Sequence, residues 1–353
     1  MTHTFQKLSA RARRSGASIA LAFFLLLMFA AGNVPTVGAQ PLITPQQACQ
    51  PAIVVENNGN SGPGTLRSAM DDLCADGVIT FGSSMTIVLS EELVPPVSMT
   101  LNGGNRPVTI SGNQAVRVLK VNNGVNLTVT NLTITQGLAP RGGGINVAPE
   151  ATLDFNRSLL VANLCNDMGQ GCGLQNDGVA TIRNSTISNN SGFQGAGIQN
   201  DGTATIVNVT FSHNSGTTGA SLVNYGTLSV RNSIFANSSA DEECFNAGTF
   251  AVNSNNLIED DSCSDGAVEL LTGDPDLSSL GDYGGSTFTH AIVAASIVHN
   301  AGDATVCAGP LVENRDQRGE TRPGAGTPRC DIGGYELQVN ELTETIYLPA
   351  LSR

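Results

Sequence analysis

Three consecutive units of 24 residues, with no gap between them, run from residue 171 to 242. Residues 171–194 read GCGLQNDGVATIRNSTISNNSGFQ, residues 195–218 read GAGIQNDGTATIVNVTFSHNSGTT, and residues 219–242 read GASLVNYGTLSVRNSIFANSSADE. Leu174, Ile198 and Leu222 align, as do Ile182, Ile206 and Val230, and Ile187, Phe211 and Phe235. Polar columns align too: Asn176, Asn200 and Asn224, and Asn184, Asn208 and Asn232. Degenerate copies precede these units at residues 142–164 and 125–137. A fixed period of this length means a stacked architecture, in which each unit buries its apolar side only against its neighbours.

The unit's chemistry selects among such stacks. Helical repeats need strong helix formers, whereas these units are rich in Asn, Thr, Ser and Gly; leucine-rich repeats need a Leu spacing that is missing. Apolar and polar residues alternate over short runs, as in Ala180-Thr181-Ile182-Arg183, which is strand periodicity. Gly and Asn-Asp-Gly interrupt the runs and supply the positive φ of sharp corners. Aromatics at 5%, no Trp and 40 Gly suit short strands of small and branched side chains. One unit is therefore one turn of a parallel β-helix, an all-β solenoid, with strands about 4.8 Å from their equivalents in the next turn. Ile182, Ile206 and Val230 are expected to stack inward. Asn184, Asn208 and Asn232 are expected to form a side-chain amide ladder, with plain turn chemistry as the alternative.

A solenoid exposes core and strand edges at its ends, so it needs caps. Leu66, Ala69, Met70 and Leu73 share one helical face between Pro63-Gly64 and Asp76-Gly77. This predicts a short helix across the front end, followed by a first strand at Val78-Ile79-Thr80-Phe81.

The N-terminal 39 residues carry Arg11, Arg13 and Arg14, then an apolar run from Ile19 to Ala31, then small residues up to Ala39. That is a secretory signal peptide, too short in its apolar run to span a bilayer. It leaves no transmembrane span after cleavage, and a secreted or cell-surface location. Four of the 17 basic residues lie in this segment, leaving 13 against 30 acidic ones beyond it. That balance excludes nucleic acid as a partner. All eight Cys lie beyond the cleavage point, and an even number in an exported chain reads as disulfides. Among the many connectivities, pairing by neighbours gives Cys49–Cys74, Cys165–Cys172, Cys244–Cys263 and Cys307–Cys330. The spacings do not match those of zinc sites.

Two segments resemble known proteins. Gly64-Thr65-Leu66-Arg67-Ser68-Ala69-Met70 with Gly77-Val78-Ile79-Thr80-Phe81 is similar to the opening of secreted bacterial β-helix proteins of the CSLREA-like and polymorphic outer membrane repeat type. Asp282-Tyr283-Gly284-Gly285, Asp316-Gln317-Arg318-Gly319, Arg322-Pro323 and Cys330-Asp331-Ile332-Gly333-Gly334-Tyr335-Glu336 resemble the choice-of-anchor Q domain. The Ser-Pro-Ala-Ile-Asp of that domain stands here as Ser296-Ile297-Val298-His299-Asn300, without its Pro. The resemblance implies a right-handed parallel β-helix that is often surface-attached, and no particular reaction. It divides the chain into a signal peptide at 1–39, an N-terminal cap region at 40–81, rungs at 82–264, C-terminal rungs with a disulfide-closed end at 265–338, and a tail at 339–353.

Chemistry has few candidates. Asp177 and Asp201 occupy equivalent positions one turn apart, with Tyr225 in the next turn. A stacked carboxylate pair would hold Ca²⁺, the one cofactor in question, or catalyse. As Asn-Asp-Gly turns, the two Asp need do neither. No basic residue recurs at that corner, and His213 has Asn189 and Asn237 at the matching positions of its neighbours. The acidic runs 241–243 and 259–261 read as a solvated loop. Asp316, Arg318, Arg322 and Asp331 read as salt bridges and turns closing the last rung. The expectation is therefore a scaffold without catalysis, serving adhesion, envelope structure or binding of a polysaccharide or cell-surface component. The alternative is a carbohydrate-active enzyme, a polysaccharide lyase or glycoside hydrolase, and a Lys or Arg beside the carboxylates would favour it.

Overall fold

The alternation of apolar and polar residues builds a parallel β-solenoid of about nine turns. The structure is a computed structural model and describes residues 48–240, 242–324 and 328–342. The signal peptide expected at 1–39, and the tail beyond residue 342, lie outside the described residues. Among the described residues every strand pair is parallel, and the strands form sheets of 15, six and two strands. In the central turns the 24-residue period becomes register: Ile182 faces Ile206 and Ile206 faces Val230, while Leu174, Ile198 and Leu222 line up in the six-stranded sheet. All six side chains are buried, and Phe211 stacks on Phe235 with ring centroids 4.5 Å apart.

The two Asn columns divide the work differently from the expectation. Asn184, Asn208 and Asn232 do not bond one another. They take left-handed φ of 47°, 53° and 48°, and in Val179–Ser188 and Thr203–Ser212 the left-handed Asn bends a ten-residue strand around a corner. Asn suits this because its short side chain tolerates the left-handed region. The ladder runs instead through the other column. Asn176 Nδ2 donates to Asn200 Oδ1 at 2.7 Å, Asn200 to Asn224 at 2.7 Å, and Asn224 to Asn246 at 2.6 Å. A second ladder, Asn163 to Asn190 to Asn214, has steps of 3.0 and 3.1 Å.

At the front, helix α1 (Leu66–Asp72) is capped by Thr65 and buries Leu66, Ala69 and Met70. The strand expected to start the coil is not the first. Gln50–Val55 precedes it and pairs with Leu73–Phe81, and the Cys49–Cys74 disulfide ties the two turns together. The other disulfides are Cys165–Cys172, Cys244–Cys263 and Cys307–Cys330.

Beyond Leu271 the chain forms no further rungs among the described residues. It folds back along the flank of the coil, with a short helix α2 (Ala304–Ala308). Gly333 donates to the Asn232 carbonyl, Gly334 to Thr210 Oγ1, and Gln317 Oε1 accepts from Thr186 Oγ1 at 2.6 Å. The Thr and Ser residues on this outer face are therefore buried, because a second layer of chain covers them.

Candidate functional site

In the six-stranded sheet the strands Leu174–Asn176 and Ile198–Asn200 are buried at every position, their polar residues included. Gln175 and Gln199 are the central residues of the strands Leu174–Asn176 and Ile198–Asn200, and each strand runs directly into an Asp at the corner. Asp177 and Asp201 thus sit one above the other. Between them lies Arg141, whose Nη2 is 3.1 Å from Asp177 Oδ1 and 2.7 Å from Asp201 Oδ2. Both carboxylates reach the same nitrogen, so their nearest oxygens are within about 6 Å of each other. Gln175 Nε2 donates to both carboxylates, at 2.7 and 2.9 Å, and Gln199 Nε2 donates to Asp201 at 3.2 Å.

Arg141 is the residue that reading the units alone misses. It stands 36 and 60 positions before its partners, at the end of the strand Leu138–Arg141. That strand pairs with Leu164–Gln170, placing Arg141 beside Gln170, and the same column continues through Gln194 and Thr218. Extending the repeat back by one turn, across the Gly that opens each unit, would have found it. The Arg141 side chain is 47% exposed against 23% and 29% for the two Asp, so the cation is the most accessible part of the group. Arg141 also holds the place a metal ion would take between the carboxylates. Among the described residues, no group of three or more His, Cys, Asp or Glu is placed to hold a metal. One turn on, Tyr225 is exposed at the matching position, with the Phe245 ring edge-on to it at 6.1 Å.

The remaining candidates belong to the scaffold. Arg322 is fully buried, pairs with Glu336 at 3.0 Å and donates to the carbonyls of Asp331 and Gly333. Burial pushes the Glu336 carboxyl up to about 7 against the pull of Arg322. Arg318 pairs with Asp316 at 2.9 Å and lies 3.8 Å above the Tyr335 ring. These groups lock the folded-back layer rather than close a rung. Of the acidic runs, Asp260 and Asp261 are exposed, but Glu243 is buried and accepts from Ser221 Oγ and the Ser238 amide, while Asp260 accepts from the Glu243 amide. His213 is exposed but stacks on His290 of the folded-back layer at 5.7 Å.

No family model matches the chain, and no curated protein matches it. The resemblance of its two ends to the choice-of-anchor Q and CSLREA-like proteins thus has no family model behind it. Solved structures similar to it include jun a 1, the major allergen from cedar pollen, at 13% identity over 76% of this chain and 88% of that one, with a TM-score of 0.43. Pectate lyase Pel9A is similar at 13% identity over 82% of this chain and 97% of that one, with a TM-score of 0.34. The expectation of a scaffold without catalysis is corrected here. The corner thought to lack a basic residue holds Arg141 against both carboxylates.

Proposed function

We propose that the protein is a carbohydrate-active enzyme of the polysaccharide-lyase class, exported to act on an acidic polysaccharide. The observation that carries this reading is the half-exposed Arg141 guanidinium between Asp177 and Asp201. Eliminative cleavage of a uronide needs a cation on the sugar carboxylate, which acidifies the adjacent C–H, and a base to take the proton. Arg141 supplies the cation, and its planar fork suits a carboxylate. When the substrate carboxylate takes one edge of the guanidinium, an Asp oxygen released from Arg141 becomes the base. The proton on the carbon next to the sugar carboxylate passes to that oxygen. The C–H electrons form the ring double bond, the neighbouring glycosidic C–O bond breaks, and the leaving oxygen takes a proton from water. Gln175 and Gln199 hold the carboxylates in place meanwhile, and the Tyr225 ring offers a flat apolar face to the next sugar. On this reading the signal peptide at 1–39 and the surface attachment implied by the choice-of-anchor Q resemblance bring the enzyme to an extracellular polymer.

The test is incubation of the purified protein, residues 40–353, with a panel of polyuronates and neutral glucans, followed by ultraviolet absorbance and mass spectrometry of the products. Unsaturated uronides from a polyuronate are expected. New reducing ends without unsaturation would replace the lyase by a hydrolase, and no cleavage across the panel would overturn the reading.

A further inference from the structure

The corner at which each turn bends within the large sheet carries the column Asn131, Arg157, Asn184, Asn208, Asn232 and Asn255, set by the register of the preceding strands. All six residues are left-handed, with φ of 57°, 46°, 47°, 53°, 48° and 53°. Five are Asn, which tolerates that region; Arg157 is the exception, and a long side chain there costs about 1–2 kcal/mol relative to an ordinary backbone. Glu313 and Asp316 favour the charge of Arg157 from nearby, but among the described residues no carboxylate forms an ion pair with it. Nε of Arg157 is buried without a hydrogen-bond partner. The neighbouring carboxylate of Asp154 is taken by Arg183, at 3.0 and 2.9 Å, and Asp316 is committed to Arg318. Burial, and then the like charge of Arg183, hold the Arg157 pKa below its usual range. A strained, partly desolvated cation without an ion-pair partner is the arrangement that an anionic ligand relieves.

Arg157 opens onto a cleft of about 610 Å³ between this corner and the folded-back layer, which contributes Ser286, Arg315 and Arg318, while the coil contributes Asn105 and Asn131. Three of the 13 basic residues beyond the signal peptide converge here in an otherwise acidic protein. Arg318 is already paired, so Arg157 and the exposed Arg315 carry the available charge. The volume is far larger than a bare oxyanion needs and falls in the range of small-ligand pockets. Its other polar groups are amides and a hydroxyl, the partners of sugar hydroxyls.

We infer that this cleft is a second saccharide site, which takes a carboxylated sugar with its carboxylate on Arg157 and Arg315. It shares no residue with the Arg141 strip and is independent of any chemistry there. The test is calorimetric titration with trigalacturonate in the Arg141→Gln background, which silences the strip. Arg157→Asn and Arg315→Gln are each expected to weaken binding about tenfold or more, the value of a charged hydrogen-bonded contact. Inorganic sulfate is expected to bind far more weakly than the trisaccharide. Arg157→Asn, which restores the residue of the column, is expected to melt at or above the parent temperature. Unchanged trigalacturonate affinity in both variants would overturn the site. Sulfate binding as tight as the trisaccharide would reduce it to a simple anion site and overturn the saccharide assignment. A lowered melting temperature in Arg157→Asn would overturn the strain argument on which it rests.

Discussion

Asn176 and Asn200 are joined by a side-chain amide bond of 2.7 Å between adjacent turns, and both are fully buried. Asn200 has an ordinary strand backbone, whereas Asn184 sits at a left-handed corner. The same substitutions should therefore rank in opposite order at the two positions. At 200, Ala breaks the ladder and costs about 2–4 kcal/mol, and Gly costs about 0.5–1 kcal/mol more. At 184, Gly fits the corner and Ala is the worse of the two by about 1 kcal/mol. Urea denaturation of the four variants checks this. The same order at both positions would mean that ladder and corner are wrongly assigned.

Ile206 lies in the aliphatic stack between Ile182 and Val230 with no exposure. Ile206→Asp puts an unpaired charge there and should destabilise the coil by several kcal/mol. A melting temperature near that of the parent would place Ile206 on the outer face and shift the register by one residue.

Much of the solenoid was legible in the sequence because each turn repeats the same local solution. The columns at 174, 182 and 187 read directly as buried stacks, and the helix face of Leu66, Ala69 and Met70 as a cap. What the units do not encode is anything that leaves the period. The folded-back layer has no repeat, so nothing marked Thr186 and Thr210 as buried beneath Gln317 and Gly334. Arg141 lies in a degenerate copy, and Asp177 and Asp201 read as ordinary turn residues until it is placed between them. The ladder was expected at Asn184, Asn208 and Asn232 and runs through Asn176, Asn200 and Asn224 instead, because Asn serves both ladders and left-handed corners and its spacing does not tell them apart.

Acid should loosen the folded-back layer through His290. Its ring is buried, with Nδ1 on the Ser278 carbonyl and Nε2 on Ser188 Oγ. Burial holds its pKa down to about 4, and the adjacent His213 acts in the same direction. The pKa in the folded state lies below the ordinary 6.5, so the unfolded chain binds the proton more readily. Stability from this group is complete above pH 6.5 and is lost as the pH falls towards 4, by up to about 3 kcal/mol. Limited proteolysis between pH 7 and 4 should show earlier cleavage within the folded-back layer at low pH. His290→Gln should flatten the profile in that window, and an equally steep profile in the variant would assign the acid sensitivity to other groups.

The arrangement of Arg141 with Asp177 and Asp201 is the centre of the account, and a comparison of initial rates tests it most directly. Unsaturated product from the preferred polyuronate is followed for the parent, Arg141→Gln, and the double variant Asp177→Asn with Asp201→Asn. Asn preserves the turn geometry of Asp, so the double variant should keep the parent's melting temperature. Both variants should lose at least about 100-fold in rate, the scale of removing a charged group that acts on the transition state. Parent-like rates in either variant would contradict the account and move the chemistry away from this corner of the coil.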